Sequence, residues 1–214
     1  MAPSIKLEDF PVDDSVTIQP SKIYFLNSSN GFATSIQVLE LVPETSQVSF
    51  NGSITTDFRR QVDTAVKANN DDKSLEAYRL SKKSWLAMGM QMCDAKSNAP
   101  LVDLGSTVWK YGLWAFAFPP GSPHSTHDIE MKPFAVSKRA QLFVKDSVPF
   151  VWELDSARHG VLYKVGDRTR RPIGEFGAEH GYSKDCVFVL DERELDAVVG
   201  VASVAALLNR ADSF

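Results

Sequence analysis

Twelve consecutive residues near the carboxyl end, Ala197 to Leu208 (A-V-V-G-V-A-S-V-A-A-L-L), are apolar but for Gly200 and Ser203. A surface helix shows one apolar stripe, so a helix apolar on every side must be enclosed by protein or by lipid. A bilayer span takes ~20 apolar residues, whereas a run of roughly 10–14 has the length of a buried core helix. Asp191, Glu192, Glu194 and Asp196 on one flank, and Asn209, Arg210 and Asp212 on the other, prevent its extension into a span. Carboxylates at its start complement the helix macrodipole, so Asp191 or Glu192 is expected to open it. From Glu192 to Asn209 it would measure ~27 Å, which suits the axis of a closed barrel. The small residues Ala197, Gly200, Ala202, Ser203, Ala205 and Ala206 would let it thread between aromatic-lined walls.

Upstream, the chain reads as strands. Ile23–Leu26 and Phe32–Leu41, split by Asn27-Ser28-Ser29-Asn30-Gly31, form a hairpin pattern. Further runs are Trp85–Cys93, Leu101–Leu104, Val108–Phe118, His127–Met131, Ala140–Val144, Phe150–Leu154, Val161–Val165, Ile173–Phe176 and Lys184–Leu190. Alternation in the fifth run puts Trp114, Phe116 and Phe118 on one face and Ala115 and Ala117 on the other. Pro119-Pro120-Gly121-Ser122-Pro123 is a loop. Thr56–Asn70 breaks the pattern: Phe58, Val62, Ala65 and Val66 recur at helical spacing, with Thr56 or Asp57 as the expected N-cap.

The expected fold is therefore mainly β, a closed antiparallel barrel of about twelve strands around a buried hydrophobic C-terminal helix. A barrel removes its edges by closing, and one wider than about eight strands leaves a lumen that needs filling. Residues 1–21 read as a polar lead-in, 22–212 as a single barrel domain, and 56–84 as a helical or loop insertion.

A net charge of −4 argues against a nucleic-acid partner, which needs a basic face. The segment Lys132–Lys184 is the exception, with 10 Lys/Arg against 6 Asp/Glu. Cys93 and Cys186, the two cysteines, lie in strand-like runs and do not make a disulfide framework. Met1-Ala2-Pro3-Ser4 leads into acidic residues without an apolar signal region, so a cytoplasmic location is expected.

The runs P-F-V-W-E-L-D-S (149–156), V-L-Y-K-V (161–165), I-G-E-F (173–176), V-F-V-L (187–190) and the segment from Glu194 to Leu208 resemble the tubby C-terminal-like superfamily. Its branches include tubby proteins, phospholipid scramblases and plant LURP-one-related proteins, and the chain is similar to fungal members. The resemblance is firmest over Ala140–Arg210 and implies a twelve-stranded barrel enclosing a hydrophobic C-terminal helix. It also implies phosphoinositide binding through Lys and Arg side chains, as in the tubby branch, at a membrane surface. The cysteine-rich lipidated segment and membrane-inserted final helix of the scramblase branch have no counterpart in these residues.

Lys164, Arg168, Arg170, Arg171 and Lys184 are the candidate ligand-binding residues, since the planar guanidinium fork suits bidentate phosphate recognition. The alternative is a solvated hairpin tip whose arginines pair with Asp155, Asp167 or Glu175. His124, His127, Asp128 and Glu130 invite a metal-assisted hydrolase reading, but the spacing is not the helical H-E-x-x-H. No serine sits in G-x-S-x-G, and no glycines form a phosphate cradle. Trp109, Trp114 and Trp152 read as core lining, Trp152 on the central helix. The expected function is a non-enzymatic binding or scaffold protein without cofactor or metal, recognising anionic phospholipid headgroups; a protein-interaction module using residues 56–84 is the second reading.

Overall fold

In the computed structural model, twelve strands close into one antiparallel barrel with a helix inside it. The structure describes residues 7–28, 34–46, 48–69, 73–82, 89–106, 112–134, 139–166, 168–178 and 185–211. In chain order the elements are β1 (Lys22–Asn27), β2 (Ser35–Leu41), α1 (Pro43–Ser46), α2 (Thr56–Ala68), β3 (Glu76–Lys82), β4 (Gly89–Asp94), β5 (Pro100–Ser106) and β6 (Trp114–Ala117). They continue with β7 (Ile129–Pro133), β8 (Ala140–Lys145), β9 (Val148–Ser156), β10 (His159–Val165), β11 (Arg170–Ala178), β12 (Asp185–Leu190) and α3 (Ala197–Ala211). Consecutive strands are neighbours, and β1 pairs with β12 to close the wall, Lys22 opposite Leu190 and Asn27 opposite Asp185.

Side-chain alternation builds the lumen. Met90 and Met92, Val102 and Leu104, Trp114 and Phe116, and Ile129 and Met131 are all buried in one cluster with the residues of α3. Ala117, on the opposite register of β6, is exposed. From Val198 to Leu208 every residue of α3 is buried. Its two interruptions both have a use. The Trp152 indole N–H donates to Ser203 Oγ at 3.0 Å, and that hydroxyl donates to the Gly200 carbonyl at 2.7 Å. Gly200 faces Leu190 and Phe188, where a Cβ would come within 2.8 Å of the leucine.

α3 opens later than the acidic cluster suggested. The helix starts at Ala197, not at Asp191 or Glu192, because the chain leaving β12 must reverse before it can enter the lumen. Asp196 makes the cap: its Oδ1 accepts from the Val198 and Val199 amides at 2.9 and 3.3 Å.

A second core lies outside the barrel. α2 lays Phe58, Val62 and Val66 on the outer faces of β1 and β12, against Ile23, Phe25, Val187 and Val189. Those two strands are therefore buried on both sides and read as unbroken apolar runs. The N-cap of α2 is Thr55, one residue before the expected pair, with its side chain accepting from the Phe58 amide at 3.1 Å.

The reading of 56–84 as an insertion is corrected for Glu76–Lys82, which is barrel strand β3, paired with β2 and β4. Only Leu80 is fully buried there, and Arg79, Ser81 and Lys82 are exposed, so the alternation was too sparse to read as a strand. In the aromatic run Val108–Phe118 the strand is shorter, Trp114–Ala117; 107–111, including Trp109, lie outside the described residues. Around residues 11–13 the lead-in is docked on the barrel in a strand-like bridge. Val12 bridges in parallel to Arg170, and the amides of Asp13 and Arg170 bond across to Arg170 and Pro11 carbonyls at 2.9 and 3.0 Å.

Candidate anion-binding surfaces

Because α3 fills the lumen, the charged side chains open to a ligand lie on the exterior. The end of the barrel where α3 enters carries the arginines singled out in the sequence, and pairing registers show that they do not converge. Lys164 and Arg171 are directly opposite each other on β10 and β11. Both reach the same carboxylate, Glu194 in the turn before α3: Lys164 Nζ at 2.9 Å, and the Arg171 guanidinium in close contact.

Arg170 lies on the other register and is structural. It pairs with Glu153 at 2.9 Å, donates to the Leu7 carbonyl at 3.0 Å and stacks on the Tyr163 ring at 5.2 Å. Arg168 is exposed in the β10–β11 connection. Lys184 and Asp167 lie outside the described residues. The partners expected for the arginines are corrected as well: Glu194 and Glu153 hold them, while Asp155 and Glu175 serve His159 at the far end of the barrel.

The histidines of the H-x-x-H-D stretch are separate. His124 Nδ1 lies 3.1 Å from Asp196 Oδ2, buttressing the α3 cap. His127 precedes β7 rather than lying on it. Its Nδ1 is 2.8 Å from the Asp128 carbonyl, and its Nε2 accepts from the Asp146 amide at 3.2 Å. Each ring is occupied by its own local partner. Among the described residues no group of three His, Cys, Asp or Glu side chains is arranged to hold a metal. Both cysteines are free thiols; burial pushes Cys186 up to about 12 and raises Cys93 too, which leaves neither activated as a nucleophile.

A second charged region lies at the opposite end, where the β9–β10 turn meets the first turn of α2. Glu175, on the outer face of β11, is buried under the segment leading into α2. Its Oε1 accepts from the Ile54 amide and from His159 Nε2, both at 2.9 Å. His159 Nδ1 lies 2.9 Å from Asp155 Oδ2. The imidazole thus sits between two carboxylates. Its pKa is raised, first by the Glu175 hydrogen bond and then by the charge of Asp155, against the opposing effect of burial. Beside it a cleft of about 440 Å³ is lined by Thr56, Arg59, Arg60, Asp63, Arg158 and His159. Reading the sequence missed this group because Arg59 and Arg158 are far apart along the chain; only the docking of α2 on the barrel brings them together.

The architecture defines the molecule as a closed twelve-stranded barrel with a central C-terminal helix and an external helical buttress. No family model, curated protein or solved structure matches the chain.

Proposed function

We propose that the chain is a non-catalytic binding module that recognises the anionic headgroups of acidic phospholipids, acting peripherally at the cytoplasmic membrane face. The observation that carries this reading is the uneven charge at the α3-entry end: one carboxylate, Glu194, serves both Lys164 and Arg171, and Arg168 stands exposed beside them. A carboxylate shared by two cations neutralises only one, so the group of Lys164, Arg171 and Glu194 keeps an excess of positive charge although Asp191, Glu192 and Asp196 beside it, and the chain as a whole, are acidic. Each basic residue near an anionic leaflet contributes about 1 kcal/mol. Three cations less one carboxylate then give about 2 kcal/mol, enough for weak recruitment that salt weakens further. No helix among the described residues is long and apolar enough to cross a membrane.

Vesicle flotation tests the proposal. The protein should float with phosphatidylcholine vesicles containing a phosphoinositide, float less at high salt, and lose most of its binding as the Arg168→Ala/Arg171→Ala double variant. Equal flotation with pure phosphatidylcholine would remove the headgroup reading.

A further inference from the structure

The cleft between α2 and the β9–β10 turn holds an arginine with no counter-charge. The Arg59 side chain makes no hydrogen bond or ion pair among the described residues, although it is half-buried. Half-buried guanidinium groups ordinarily take a carboxylate, because desolvating a charge is costly unless it is paired. Arg59 instead lies against backbone: an ideal Cβ at Gly177 would sit 2.4 Å from its Nη2. Gly177 does not have the positive φ that calls for glycine, so what the missing side chain provides is the seat for that guanidinium.

The neighbouring charges add to the same field. Arg60 and Arg158 line the walls, and the first turn of α2, beginning at Thr56, presents the positive end of a thirteen-residue helix. His159 adds no net positive charge, since it lies between the carboxylates of Asp155 and Glu175. The acidic groups nearby are already engaged. Asp57 pairs with Arg60 at 3.1 Å and offsets part of its charge, Asp63 pairs with Lys67 at 2.6 Å, and Asp155 and Glu175 with His159.

We propose that this cleft is a binding site for a phosphate monoester group, with Arg59 as the principal donor and Arg60 and Arg158 as flanking cations. Guanidinium forks and a helix N-terminus suit a tetrahedral dianion better than a single carboxylate. The volume is near the lower end of the ~300–1,000 Å³ usual for ligand pockets, which accommodates a phosphate on a small organic group. The site is at the opposite end of the barrel from Lys164 and Arg171 and does not depend on the headgroup reading given above.

The test is an NMR titration of the intact chain with inorganic phosphate and with glycerol 3-phosphate at constant ionic strength, beside flotation on phosphatidylcholine vesicles containing phosphatidylinositol phosphate. The expected result is a saturable shift of the Arg59 Nε–H and of the amides at the start of α2. Affinity should fall about tenfold or more in Arg59→Ala. Gly177→Ala, which changes no charge but takes the seat of the guanidinium, should weaken binding in the same direction. Loss of vesicle binding in these variants with no response to free phosphate would assign the same group to a lipid source. Unsaturable shifts, shifts mapping away from the cleft in the wild-type chain, or unchanged affinity in folded Arg59→Ala would overturn the site. Because Arg168→Ala/Arg171→Ala leaves the cleft intact, losing flotation in that variant while phosphate still binds separates the two proposals.

Discussion

His159 shows how one side chain can tie three parts of the molecule together. Through Glu175 it is linked to the Ile54 amide ahead of α2, and through Asp155 to the end of β9. Its folded-state pKa is raised above the ordinary histidine value of 6.5, so the charged imidazolium stabilises the fold. That contribution is complete below the unfolded value and disappears as pH rises through the raised folded value. Thermal unfolding followed from mildly acidic to mildly alkaline pH should therefore show Tm falling across and above pH ~6.5. In His159→Gln that part of the decline should vanish; a wild-type Tm that is flat or rises through this window would contradict the assignment. Nothing near A-R-H-G in the sequence marks this residue, because Glu175 reaches it across the β10–β11 pairing.

At the scale of elements, the two long helices were legible for different reasons. α2 displays Phe58, Val62 and Val66 at four-residue intervals, the pattern of a helix with one buried face. α3 has no polar face, and its enclosure followed from that alone. Its starting point did not, because the cap is set by where the chain can turn into the lumen. Asp196→Ala removes the acceptor for two amides and the partner of His124. It should destabilise the protein by about 1 kcal/mol, a Tm decrease of about 2–4 °C for a chain of this size. Calorimetry measures both, and no change would mean that the cap is replaced by solvent. Strand β3 is the converse case. Flanked by exposed charge and carrying one fully buried side chain, it is a strand because β2 and β4 hold it.

For the molecule as a whole, the helix is part of the barrel's core rather than an addition to it. Val198, Val199, Val201, Val204, Leu207 and Leu208 are all buried against the wall. At about 1.5–3 kcal/mol for each such side chain, their burial is on the order of 10 kcal/mol, comparable with the roughly 5–15 kcal/mol net stability of a typical domain. A chain ending at Asp196 should thus lose cooperative thermal unfolding and bind a hydrophobic dye. A truncated chain that melts with the wild-type transition would show that the wall closes without its filling. The same packing explains why the charged clusters lie outside the lumen, at the two ends of the barrel.

Periodicity and composition by themselves determined the barrel, its approximate strand number and the dry central helix, because burial demands repeat every two or four residues and are written locally. They also located a basic segment, though not which of its cations are already neutralised. Only the tertiary structure decided that Lys164 and Arg171 share Glu194, that Arg170 belongs to the scaffold, and that Arg59 meets Arg158 across a cleft. Such pairings depend on strand register and on where α2 docks, and a charged side chain carries no local sign of what will face it across space.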